Sequence, residues 1–238
     1  MNLPYVAGFL ASVIGMMFGG SIAWFFRDKG ISTIFSICTG LIFGLVILEI
    51  LPEGIEIGGW MTVVFGLIIG YLIFSYLEKG AHSITIITND PKKDVLIHSG
   101  ALLIISISIH NFPIGIALGA NSDASVTNSM MTAIMFHNIP EGIAVFTPLF
   151  MAGFGIMTLL IGALIASLPI GVGALIGYKF GMGIPWLLAL IISFAMGIIL
   201  SVAVKEMFGI ALKSATTMYC STLATVGFVF ITLYLYFL

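Results

Sequence analysis

The chain has 238 residues, of which 60% are hydrophobic and 8% carry a formal charge, and its mean hydropathy is +1.22. A soluble domain of this length needs roughly 25% charged residues to cover its surface, so the composition excludes a soluble enzyme. The net charge of −2 also excludes a basic surface that would bind nucleic acid.

Eight apolar runs are long enough to cross a bilayer, which takes about 20 residues. In chain order they cover about 3–26, 31–51, 60–77, 95–118, 129–150, 155–178, 185–204 and 221–238. We therefore predict an all-α membrane protein with eight transmembrane helices in a single domain, residues 1–238. The polar segment at about 78–94 is its predicted cytoplasmic loop.

The basic residues predict the orientation of the spans. Connections on one side hold or adjoin seven of the eight lysines and arginines, and Lys179 lies alone on the other side. Since basic residues concentrate on the cytoplasmic side, both termini are expected outside the cytoplasm. The expected location is the cell membrane, either a plasma membrane or a bacterial inner membrane.

The fourth and fifth spans carry a duplicated octapeptide. Residues 110–117 read HNFPIGIA, and residues 137–144 read HNIPEGIA. The two spans cross in opposite senses, so the copies can meet near the midplane as an inverted pair. A weaker echo links 44–53 in the second span with 197–206 in the seventh. Inverted repeats with interrupted helices are typical of a transporter site.

The duplicated motifs hold ionisable residues at mid-span, where such residues are costly and therefore indicate function. His137 and Glu141 are four residues apart and share a helix face. Each motif proline frees the carbonyl four residues earlier, at Ile109 and Phe136, beside a histidine. Two imidazoles, a carboxylate and amide oxygens suit Zn²⁺ or a similar first-row divalent ion. A bis-histidine haem site accounts less well for the asparagine and the glutamate.

These motifs resemble the HNxPEG signatures of the ZIP (Zrt-, Irt-like protein) family of divalent-metal transporters, and the likeness extends over the whole chain. The resemblance implies a 3+2+3 helix arrangement with inverted repeats and a metal site between helices four and five. It further implies movement of metal into the cytoplasm by alternating access. Zn²⁺ is the expected substrate, with Fe²⁺, Mn²⁺ and Cd²⁺ as alternatives, and no organic cofactor is expected. Members are often homodimers in the lipid bilayer, and the sequence leaves that point open.

The resemblance also implies the ligand set. The matching positions are His110, Asn111, His137, Asn138 and Glu141. In many bacterial members such positions form two adjacent metal sites bridged by carboxylates. Here Ile114 replaces the glutamate of the span-four motif, and Leu168 replaces an acid that commonly precedes a span-six proline. We therefore predict one metal site.

Three further acids are candidates for the ion pathway. Glu49 and Glu53, one turn apart near the outer end of the second span, can gather cations at the entrance. For Glu53, a solvated helix end explains the position equally well. Glu206, at the cytoplasmic end of the seventh span, can line the exit. Its neighbour Lys205 stands where the family resemblance implies an acid or histidine, and we expect its charge to reach the headgroups away from the path.

Two other classes of function remain open from the sequence. A metal sensor, or a degenerate family member, would bind metal without transport, and the missing carboxylates keep this alternative open. An intramembrane zinc enzyme would use the two histidines and the glutamate with an open coordination position. The sequence contains no HExxH motif and no further acid beside the site to act as a general base, so we expect no enzymatic activity.

Overall fold

The computed structural model describes residues 4–84, 88, 90–120, 124–181 and 184–237. Throughout these ranges the regular structure is helical, and they contain no strand. Its elements are α1 Pro4–Phe26, α2 Ile31–Leu45, a first π-helical turn Val46–Ile50, α3 Leu51–Ile84, α4 Pro91–Ala120, α5 Ala124–Met151, α6 Ile156–Phe180, α7 Pro185–Ser201, a second π-helical turn Val202–Phe208, α8 Gly209–Ser214 and α9 Thr217–Tyr236.

Six helical stretches in the described part of the chain are long and apolar enough to cross a membrane. The protein is therefore an all-α, multi-pass membrane protein, and the eight-helix 3+2+3 arrangement stays a prediction. One of the six stretches, Ile31–Tyr76, has 46 residues. A straight helix of that length would measure about 69 Å at 1.5 Å per residue, more than twice the hydrocarbon thickness. The Ile31–Tyr76 stretch is not a straight helix, because Gly59 breaks the helical geometry with a φ of 74°.

Two predicted connections differ from the structure. The acidic stretch 52–56, which falls in the predicted connection between the second and third spans, is helical, although Pro52 lacks the N–H of a regular helix. The break falls at Gly59, directly before the predicted start of the third span at about 60, since glycine accepts positive φ without steric cost. The predicted loop at 78–94 is shorter, and its positions 85–87 and 89 lie outside the described residues. Asp90 ends it by accepting the N–H of Lys92 (3.0 Å), so that it caps α4.

The long helices pack as two groups. In the first group, α1 packs against α5 and α6, and α4 packs against α6 and α5. In the second group, α3 packs against α7, and α2 packs against α9. Contacts of α4 with α7 and of α2 with α5 join the groups. Because α4 and α5 carry the duplicated motifs, those motifs lie where the two groups meet.

Glycines allow the helices of the first group to approach closely. A Cβ at Gly15 or Gly19 of α1 would overlap a backbone carbonyl of α5. A Cβ at Gly173 or Gly177 of α6 would likewise overlap a backbone carbonyl of α4. Both pairs have the four-residue spacing that lets transmembrane helix backbones come into contact. The close packing fixes α4 and α5, and therefore the motif histidines, against α6 and α1.

Candidate metal site

Two proline-containing helices bring three potential ligands together. His110 lies on α4, and His137 and Glu141 lie one turn apart on α5. One donor atom from each side chain lies within 4.8 Å of the other two. The imidazole rings have centroids 5.6 Å apart, and Nε2 of His137 is 3.4 Å from Oε1 of Glu141. The duplicated motifs therefore meet, as their positions in opposed spans predict.

These three side chains are buried, and several of their polar atoms have no hydrogen-bond partner among the described residues. Their exposed fractions are 0% for His110, 7% for His137 and 4% for Glu141. Among the described residues, both ring nitrogens of His110, Nε2 of His137 and both carboxylate oxygens of Glu141 have no hydrogen-bond partner. Each buried unpaired polar group costs roughly 1–3 kcal/mol. Such a concentration of unpaired donors and acceptors is typical of a site that binds a cation.

The two motif asparagines differ in their availability as ligands. Asn111 donates from Nδ2 to the carbonyl of Ala166 (2.9 Å), and its buried Oδ1 has no partner among the described residues. Asn138 donates to the carbonyl of Ile134 (2.8 Å) and accepts from the Ser12 hydroxyl (3.0 Å) at Oδ1. Asn111 therefore has an oxygen to offer, whereas that of Asn138 is engaged with α1.

Glu49 lies deeper than the sequence suggests. Its Oε1 is 2.9 Å from Nδ1 of His137, so Glu49 directly contacts the cluster of potential ligands formed by His110, His137 and Glu141. Glu49 and Glu53 line an open cavity of about 280 Å³ together with His137 and Ile114. A second open cavity, of about 550 Å³, shares Glu49 and His137 and reaches Ser129. An open path lined by carboxylates therefore reaches one side of the cluster.

The other side of the cluster is tightly packed. There, a cavity of only about 10 Å³ lies between α2, α4, α5 and α7, next to Glu141. Its lining is otherwise apolar and includes Leu41, Ile42, Leu45, Ile50, Leu103, Ile107, Pro140, Ala144 and Ile199. This is about the volume that a single water needs, roughly 10–15 Å³. Open cavities therefore reach the cluster beside Glu49 and His137. Beside Glu141, tightly packed apolar side chains, the apolar plug, block the way.

The carbonyl freed by Pro140 has a partner that sequence reasoning missed. Tyr234 of α9 donates from its hydroxyl to the carbonyl of Phe136 at 2.6 Å, so this oxygen is not available beside His137 for a metal. The freed carbonyl was visible in the sequence, whereas its partner lies 98 residues away and required the fold.

The remaining candidates lie away from the cluster. Glu206 belongs to the second π-helical turn, and its side chain lies outside the part of the chain that the structure describes. Lys205 donates from Nζ to Oε2 of Glu78 (2.9 Å) and to Ser75 (3.3 Å) on α3, and its predicted reach to the cytoplasmic headgroups stays a prediction. Leu168 is 57% exposed on α6, so that position does not contribute to the site.

Comparison with known proteins agrees with this geometry. A family model described as ZIP zinc transporter matches residues 87–234, well over half of the chain. The matched range contains both motif histidines and Glu141. Among curated proteins, none gives a significant match.

Proposed function

The chain belongs to the ZIP zinc transporter family, and we propose that it carries Zn²⁺ across the membrane into the cytoplasm by alternating access. Members of the family transport divalent metals and are not enzymes. The metal is therefore the substrate of the protein rather than a resident cofactor, and it must both bind and leave.

The observation that carries the proposal is the convergence of His110, His137 and Glu141, with donor atoms within 4.8 Å of one another. Two imidazoles and a carboxylate form a ligand set typical of zinc, with bonds of about 2.0–2.2 Å. Tetrahedral zinc needs its donors about 3.3 Å apart, so binding would draw the three side chains inward.

We propose one ion per chain, held between α4 and α5. The free Oδ1 of Asn111 is the best placed amide oxygen for a fourth ligand. The Oδ1 of Asn138 already accepts a hydrogen bond from Ser12, so it is the less available of the two amide oxygens. The aliphatic side chain of Ile114 supplies no bridging carboxylate for a second ion. Elemental analysis of zinc-loaded protein should give one zinc per chain.

One-sided access supports alternating access as the mechanism. The cavities at Glu49 and Glu53 reach the cluster from the side that the basic residues predict to be extracytoplasmic. The apolar plug beside Glu141 closes the other side. We propose that this is the outward-open arrangement, and that Glu206 lines the exit when the plug opens. The 3+2+3 arrangement and a homodimer in the cell membrane belong to the same proposal.

Zinc uptake into proteoliposomes tests the proposal. Purified protein is reconstituted around a trapped zinc-sensitive dye, and the comparison is with protein-free liposomes of the same lipid. We expect zinc-dependent fluorescence only with the protein. Competition by Fe²⁺, Mn²⁺ and Cd²⁺ then orders the substrates. Zinc binding without uptake would favour the alternative of a metal sensor, because the missing carboxylate at position 114 leaves the site with fewer oxygen ligands.

A further inference from the structure

The second helix reaches the metal cluster through a local change in helix geometry. Between Val46 and Ile50 the chain forms a π-helical turn, closed by the N–H of Leu51 on the carbonyl of Val46. Pro52 has no N–H, so the carbonyl of Leu48 loses its normal helical partner and the turn can widen. Glu49 lies inside this turn. The extra residue per turn changes the direction in which its side chain projects.

The carboxylate of Glu49 contacts the side of His137 that faces away from the cluster. Oε1 of Glu49 is 2.9 Å from Nδ1, whereas Nε2 of the same ring is the atom next to Glu141. A neutral imidazole carries its proton on one nitrogen and a lone pair on the other. Because an ionised carboxylate only accepts hydrogen bonds, it favours the proton on Nδ1, which leaves the Nε2 lone pair directed at the cluster.

We propose that Glu49 is the positioning residue for His137, fixing the ring so that Nε2 is the nitrogen that binds the transported ion. This inference rests on the proposed function. A carboxylate behind a metal-binding histidine orients the ring and raises its basicity, and its loss typically costs about 10- to 100-fold in metal affinity. Glu49 thus acts on the ion through His137. The rival role is that Glu49 itself is a ligand.

Nitrogen-15 NMR of histidine-labelled, zinc-loaded protein tests the assignment, since the chain has only four histidines. In the unmodified protein we expect zinc on Nε2 of His137 and a proton on Nδ1. Glu49→Ala should weaken zinc binding by about 10- to 100-fold and yield a mixture of bound nitrogens. Glu49→Gln keeps a carbonyl acceptor, so it should retain Nε2 binding with an intermediate affinity. Glu56→Ala, an exposed acid on the same helix, is the matched control.

Three results would overturn the assignment. The first is zinc on Nδ1 of His137 in the unmodified protein. The second is an affinity for Glu49→Ala and Glu49→Gln equal to that of Glu56→Ala. The third is loss of one oxygen ligand from the zinc X-ray absorption spectrum of Glu49→Ala, which would make Glu49 a ligand. If the unmodified protein bound no zinc, the proposed function itself would fail, whereas normal uptake by both Glu49 variants would refute only the positioning role.

Discussion

The hydroxyl of Tyr234 donates a 2.6 Å hydrogen bond to the carbonyl oxygen of Phe136. Pro140 leaves that carbonyl without its helical partner, and the two aromatic rings meet edge to face with centroids 6.4 Å apart. The contact joins α9 of the second helix group to α5 of the first, one residue before His137. It therefore stabilises the interrupted helix at the position of the metal ligand.

Tyr234→Phe should destabilise the protein while preserving the ring contact. It leaves the Phe136 carbonyl unpaired, at a cost of about 1 kcal/mol for this half-buried position. Thermal unfolding in detergent is the measurement. Tyr236→Phe, which removes a hydroxyl from an 80% exposed residue of the same helix, is the control. Equal melting temperatures for the two variants would show that the hydrogen bond contributes nothing.

His137→Ala and Glu141→Ala should each abolish zinc uptake while the protein still folds and inserts. Each change removes one of three converging ligands, and the small, buried alterations leave the glycine-packed helix contacts intact. Uptake into proteoliposomes, with monodispersity checked by size exclusion, is the measurement. His98→Ala on α4 serves as the control for loss of a histidine. Near-normal uptake by both site variants would remove the proposed site.

Ile114→Glu should tighten zinc binding. Ile114 lines the same cavity as Glu49, Glu53 and His137, and it follows His110 by four residues, so a carboxylate there would add a ligand. Turnover should stay the same or fall, because an ion held more strongly leaves more slowly. Isothermal titration calorimetry gives the affinity, with Ile114→Gln as the uncharged control. An unchanged dissociation constant in a folded Ile114→Glu variant would show that position 114 does not face the ion.

Gly19→Ala should destabilise the contact between α1 and α5. The new methyl group would overlap the carbonyl of Ile139, and such overpacking typically costs about 1–3 kcal/mol. Gly155→Ala is the matched control, since a Cβ there meets no heavy atom within 4 Å. Melting temperatures of the two purified variants give the comparison. If Gly19→Ala were as stable as Gly155→Ala, the contact between α1 and α5 would accommodate the methyl group without loss of stability.

Local patterns predict the helices and the central cluster well. Hydrophobic length predicts the all-helical, multi-pass character, whereas the count of eight spans stays a prediction. The duplicated motif predicts the convergence of His110, His137 and Glu141, because ionisable residues at mid-span require a partner. The boundary near residue 52 could not be placed correctly, since proline is compatible with the first turn of a helix as well as with a turn. The break at Gly59 agrees with the predicted start of the third span at about 60.

The parts of the site that sequence reasoning missed depend on contacts between distant residues. The reach of Glu49 to His137 follows from a π-helical turn, which a period of 3.6 residues does not reveal. The engagement of Asn138 requires Ser12, 126 residues away. The pairing of Lys205 with Glu78 likewise joins α3 to the second π-helical turn, and the sequence alone does not identify that partner.

The dry packing beside Glu141 has an electrical consequence. In the proposed outward-open arrangement, water in the wide cavities would carry the extracytoplasmic potential to His137, so most of the voltage across the membrane would fall over the short apolar plug on the other side. Moving one charge through such a field yields about 2.3 kcal/mol per 100 mV, and a divalent ion therefore gains about 4.6 kcal/mol. With the proposed orientation, an interior-negative membrane would supply an inward force at the step where the ion passes the plug.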